Sequence, residues 1–128
     1  MNLLLDTCCF LWLAFEPKKL SPLAANMIED SSNRLFISDV SLWEITLKHT
    51  AGKLALPMHP SDWLPSRRTF FGAEALPIHE SAIFLTSDLP LLHADPFDRL
   101  IAAQAIEKNF TILSPDRPLS LLGANRIW

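Results

Sequence analysis

The sequence predicts an α/β fold in which helices cover both faces of a central parallel sheet. Three observations carry that expectation: short apolar runs alternate with helix-patterned segments, the ten prolines fall between those segments, and 128 residues suit one core. A single domain over residues 1–128 is expected, because such a chain buries one sizeable core and is too short for two ordinary ones. No repeats, low-complexity tracts or linkers interrupt it.

The elements follow in order. Leu3-Leu4-Leu5 reads as a short buried strand stopped by Asp6, and Cys8 to Phe15 as a helix closed by Glu16-Pro17. Ser21-Pro22 is a helix start, with Ser as N-cap and Pro at the first helical position, ahead of Leu23 to Glu29. Leu35-Phe36-Ile37 is a second strand. A helix from about Ser41 to Thr50 comes next, with Gly52 placed to end it in the left-handed conformation. Ser61 to Phe71 reads as helical despite Pro65, Ala75 to Ile78 as a third strand, and His79 to Thr86 as another helix. Asp95-Pro96 opens the clearest helix, which runs to about Lys108; Thr111-Ile112-Leu113 is a strand, and Ala124 to Trp128 a last one.

Composition excludes several classes. A net charge of −3 argues against a protein that coats nucleic acid through many phosphate contacts, so any such contact must be local. The apolar segment Phe10 to Phe15 is too short to span a membrane and lacks the flanks of a signal peptide, from which a cytoplasmic protein without membrane attachment is expected. Cys8 and Cys9 are adjacent, which suits neither an ordinary disulfide nor a zinc site; two small hydrophobes in a reducing compartment are expected.

Four acids stand out by position. In a parallel sheet the carboxyl ends of all strands lie on one edge, so residues just after strands converge. Asp6 follows Leu3 to Leu5, Asp116 stands three residues after Leu113, and Glu44 falls in the first turn of the helix after Leu35 to Ile37. Asp98 lies in the first turn of the Asp95-Pro96 helix, although no strand precedes it directly. Converging carboxylates repel one another unless a cation neutralises them, and an all-oxygen cluster suits hard Mg²⁺ or Mn²⁺ ions. Such ions activate water and stabilise charge on a phosphodiester, which is hydrolase chemistry.

Each acid also has a structural explanation. Ser41 and Glu44 spell a capping box, and Glu44 is spaced to pair with Lys48. Asp95 is an N-cap before Pro96 that Asp98 could complete, and Ser-Pro-Asp-Arg-Pro around Asp116 is turn composition. Only Asp6, ending a buried strand, is odd in isolation. His49, His59, His79 and His93 share no metal-ligand spacing, and only His93 lies beside an acid segment. The Trp residues at 12, 43, 63 and 128 suit a core or an interface better than base stacking.

Leu-Leu-Leu-Asp-Thr at 3–7, Ser-Leu-Trp-Glu-Ile at 41–45, His-Ala-Asp-Pro-Phe-Asp-Arg-Leu-Ile-Ala-Ala-Gln-Ala at 93–105 and Thr-Ile-Leu-Ser-Pro-Asp at 111–116 together resemble the PIN-domain family. The likeness is to its VapC-type toxins of bacterial toxin–antitoxin pairs, and it extends through Gly-Lys-Leu-Ala-Leu-Pro at 52–57 and Leu-Pro-Ile-His at 76–79. The resemblance implies a PIN-like α/β/α sandwich, Mg²⁺- or Mn²⁺-dependent endoribonuclease activity on RNA, a cognate antitoxin, and a homodimer. It assigns the catalytic and metal-holding roles to Asp6, Glu44, Asp98 and Asp116, and leaves Asp95 between N-cap and support of the site. Cys8 stands where relatives often carry His, and Ala94 where Arg is common.

Four Trp and eight Phe exceed what so small a domain readily buries, so part of this surplus is expected to form a partner-binding patch. Phe10-Leu11-Trp12, Met27-Ile28 and Trp63 are the expected walls of a groove for an inhibitor's apolar helix, with a basic side chain reaching the acids. Rival readings fare less well. A phosphorylated receiver needs a Lys after a late strand and has no use for Glu44, and an aspartyl phosphatase needs D-x-D where this chain has Asp6-Thr7-Cys8. A non-catalytic binding domain of the same fold, or a related DNA nuclease, is the remaining alternative.

Overall fold

The computed structural model describes residues 1–128. Strands β1 (Asn2–Leu5), β2 (Arg34–Ser38), β3 (Ala73–Leu76), β4 (Thr111–Leu113) and β5 (Asn125–Ile127) form one sheet in the order β3-β2-β1-β4-β5. Every pairing is parallel. β1 is central, with Leu4 in register with Phe36 on one side and Ile112 on the other.

The leucine run of β1 is explained by burial on both faces. Leu3 and Leu5 pack with Phe10, Ile37, Ile45 and Trp63, while Leu4 points the other way into a cluster with Phe36, Ile101 and Leu119. Helices α1 (Thr7–Phe15), α2 (Pro22–Glu29) and α4 (Pro60–Phe70) cover the first face. Helices α5 (Glu80–Leu85), α6 (Pro96–Lys108) and α7 (Pro118–Leu121) cover the second. Helix α3 (Asp39–Thr50) serves both, with Val40 in one cluster and Ile45 in the other. The expected α/β fold with a central parallel sheet is the one observed.

Differences from the sequence-based expectations have local causes. Helix α1 begins at Thr7 because the Asp6 carboxylate is its N-cap, accepting from the Cys9 N–H at 2.6 Å. Helix α3 begins at Asp39, because Ser38 accepts from the Val40 N–H, so Glu44 lies in its second turn. The Ser41–Glu44 capping box therefore does not form; Ser41 is buried inside the helix. β3 ends at Leu76 rather than Ile78, and the Pro77 carbonyl accepts instead from the Gln104 side chain. Gly52 does adopt the left-handed conformation just past α3, at φ 73°.

The expected groove walls are also corrected. Phe10 and Trp63 are core residues packed edge to face at 6.1 Å, because α1 and α4 share the first face of the sheet. Of the expected walls Ile28 does line an apolar groove, but with Leu13, Leu20 and Ala25, flanked by Lys18 and Glu29. Not every aromatic is buried: Trp43, Phe15, Phe70 and Phe84 are exposed.

Candidate active site

β1 is where the strand order reverses: the chain passes to β2 on one side and later returns to β4 on the other. The carboxyl ends of strands flanking such a point leave a crevice. A cleft of about 330 Å³ opens there, lined by Asp6, Glu44, Asp95, Asp98 and Asp116 together with Thr7, Cys8, Leu11, Trp12 and Lys48. All four acids expected from the sequence thus share one cleft, and Asp95 borders it.

Asp6 comes directly from β1 and is buried. Its oxygens accept from the Cys9 N–H and from the Ser114 hydroxyl, which sits just past β4. Burial pushes the Asp6 carboxyl up to about 7; Asp116 and Asp98 add to the shift, and the two hydrogen bonds oppose it. Ser114 also accepts from the Asp116 N–H at 2.9 Å, so one hydroxyl ties the two acids together across β1 and β4.

Glu44 reaches the cleft from α3. The Thr7 hydroxyl donates to its Oε1 at 2.6 Å and lies 2.9 Å from Ser41 Oγ, while Lys48 Nζ donates to its Oε2 at 2.9 Å. That bond, and the acids around it, holds the Lys48 ammonium above its ordinary pKa. Asp98 stands in the first turn of α6, where its Oδ2 lies 2.8 Å from His93 Nε2. Burial raises the Asp98 pKa, the His93 bond opposes that, and Asp95 and Asp116 add to it. Asp95 is the N-cap of α6, accepting from the N–H groups of Phe97 and Asp98.

Three residues that the sequence did not single out position these acids. Ser114 is one. Gln104 is buried on α6, accepts from Ser38 Oγ at 2.5 Å and donates to the Pro77 carbonyl at 3.1 Å, which ties α6 to the start of α3. Arg99 follows Asp98 and donates to four backbone carbonyls, those of Thr86, Leu89, Pro90 and His93, at 2.7–3.2 Å. It clamps the segment that carries His93. The uninterrupted 93–105 block was the available signal for Gln104 and Arg99; nothing local marked Ser114. The cysteines offer little chemistry. Cys9 is buried, and burial with nearby acids pushes the Cys8 thiol up to about 11.

The fold and cleft together define a parallel α/β protein with an acidic site at its topological switch point. The chain belongs to the PIN domain family, whose sequence pattern matches residues 3–124. It is similar to the protein named ribonuclease VapC22 of Mycobacterium tuberculosis, 29% identical over 120 residues, 92% of this chain and 89% of the relative. Its fold is similar to chains in two solved assemblies. One is VapBC2 from Rickettsia felis bound to a promoter DNA fragment (TM-score 0.71, 17% identity, 99% of this chain and 98% of the other). The other is DNA-bound VapBC from Salmonella typhimurium (TM-score 0.70, 18% identity, 99% and 97%).

Proposed function

We propose that this protein is a Mg²⁺- or Mn²⁺-dependent endoribonuclease, the toxin of a toxin–antitoxin pair, with Asp6, Glu44, Asp98 and Asp116 as its metal-holding and catalytic acids. The observation that carries the reading is the convergence of these four carboxylates in one cleft of a PIN-family chain. The similarity to a protein named as a ribonuclease supports RNA as the substrate. Likeness to chains of VapBC assemblies agrees with an antitoxin partner.

The donor set fits a hard ion. Every acid offers oxygen, and the buried Asp6 has Asp116 and Asp98 near it as like charges, which a cation would offset. No three His, Cys, Asp or Glu side chains are grouped to hold an ion jointly. Mg²⁺ typically takes one or two carboxylates and keeps several waters, so it needs no full protein cage. When bound, the ion would activate water and offset charge on the phosphodiester oxygens.

The chain's own residues keep the acids in place for hydrolysis, in which a water oxygen bonds to phosphorus as the bond to the leaving sugar oxygen breaks. The Ser114 hydroxyl donates to Asp6 and accepts from the Asp116 backbone N–H, which holds both acids. Thr7 fixes Glu44 from α1, and His93 fixes Asp98 from the loop clamped by Arg99. For the antitoxin, the groove along Leu13, Leu20, Ala25 and Ile28 offers a site for an amphipathic helix. A cytoplasmic location and a homodimer belong to the same proposal, carried by the family resemblance alone.

The test is cleavage of RNA by the purified protein with Mg²⁺, Mn²⁺ or Ca²⁺, with single-stranded DNA alongside. Glu44→Gln and Asp98→Asn are expected to lower RNA cleavage by about 100-fold or more while melting normally, the scale of losing a charge-stabilising group. Ca²⁺ is expected to bind with little turnover. Undiminished cleavage in excess chelator would overturn the metal reading, and cleavage of DNA alone would overturn the ribonuclease. Co-purification with the product of a neighbouring gene that suppresses cleavage tests the antitoxin.

A further inference from the structure

Lys48 is the one basic side chain lining a cleft otherwise bounded by five carboxylates. It stands one turn beyond Glu44 on α3, and its Nζ is 2.9 Å from Glu44 Oε2. The other Glu44 oxygen is taken by Thr7. The two partners differ in freedom: the Glu44 side chain is 13% exposed and anchored, whereas that of Lys48 is 49% exposed on a flexible stem. A phosphodiester entering this cleft meets mostly negative charge, which one divalent ion offsets only in part. A mobile cation at the rim is suited to meet it.

We propose that Lys48 has two alternating partners: it neutralises Glu44 while the cleft holds no ion, and contacts a backbone phosphate of RNA once an ion has taken Glu44. This inference rests on the nuclease reading of the same cleft. It separates from an ordinary helix-surface pair by sign. A surface pair contributes a little stability and nothing else. A shared cation competes with metal for Glu44 and assists the phosphate, so its removal moves the two affinities in opposite directions.

The experiment compares the full-length protein with Lys48→Met and Lys48→Arg. Mn²⁺ binding is measured by electron paramagnetic resonance without nucleic acid, and binding of a short fluorescent oligouridylate by anisotropy in Ca²⁺ across a salt series. Lys48→Met is expected to bind Mn²⁺ about two- to fivefold more tightly, the range an exposed ion pair carries. It is expected to bind the oligonucleotide more weakly, with a salt slope smaller by about 0.7, one phosphate contact on a single strand. Lys48→Arg, which keeps the charge, is expected to restore both. Lys48→Met affinities that are unchanged, or that shift in the same direction, would overturn the proposal and leave Lys48 a surface pair. If the unsubstituted protein binds neither Mn²⁺ nor the oligonucleotide, the nuclease reading falls and Lys48 with it; if it binds both and Lys48→Met matches it, Lys48 alone is removed.

Discussion

Asp6 follows β1, caps α1 and enters the cleft with one carboxylate, and these roles conflict in the absence of a cation. The cap and the Ser114 bond favour the charged form, yet burial and the neighbouring acids outweigh them and raise the pKa to about 7. In the unfolded chain the same group titrates near 3.8. Between these values the folded protein holds a proton that the unfolded chain has released, so stability of the metal-free protein falls as pH rises from about 4 to 7. Asn in that place keeps an oxygen for the Cys9 N–H and loses the charge. In chelator at pH 8, Asp6→Asn is expected to unfold at higher urea than the parent, by on the order of 2–4 kcal/mol, and the difference to shrink by pH 4. It is also expected to cut no RNA. A metal-free Asp6→Asn protein less stable than its parent at pH 8 would show that the charge is accommodated in the fold.

At the scale of elements, α6 does the most to assemble the cleft. Its first turn carries Asp98, its body is buried through Ile101 to Ala105, and Gln104 ties it to the cap of α3. The preceding loop has no strand to hold it. Leu91 is 90% and Leu92 71% exposed, so little burial fixes this segment, and Arg99 supplies the restraint through four carbonyls. A lysine in its place has no planar fork to span four acceptors. Arg99→Lys is expected to speed chymotrypsin cleavage after Leu91 or Leu92 by about tenfold or more, since hydrogen bonds from a charged donor carry roughly 1.5–3 kcal/mol. Global melting is expected to shift only slightly, because the segment lies outside the sheet. An unchanged cleavage rate would remove the clamp.

Across the whole molecule, stability and site geometry depend on the same strand. β1 pairs on both sides and buries both faces, so a cavity at Leu4 faces the cluster that supports α6 and α7. Leu4→Ala is expected to cost about 2–5 kcal/mol in urea unfolding, whereas the exposed Leu91→Ala stays within about 0.5 kcal/mol. Equal effects would mean that the core is not centred on β1.

The sequence by itself determined the element types and the parallel sheet, because hydrophobic runs bounded by Pro, Ser and Asp are local signals, and it offered the four acids as candidates. Boundaries were less legible. Ser38 and Ser41 are both N-cap residues in composition, and only the packing of Ser41 beneath Thr7 and of Ser38 against Gln104 decides which one caps α3. The reach of the aromatics was likewise undetermined, since an apolar residue reads alike in a core and in a groove; tertiary packing put Phe10 and Trp63 inside and left Trp43 outside. Tertiary structure also decided the strand order, and with it that Asp6, Glu44, Asp98 and Asp116 share a cleft. The physical reason is distance along the chain: Ser114 lies 108 residues from Asp6, and no local pattern can announce a hydrogen bond that only the adjacency of β1 and β4 creates.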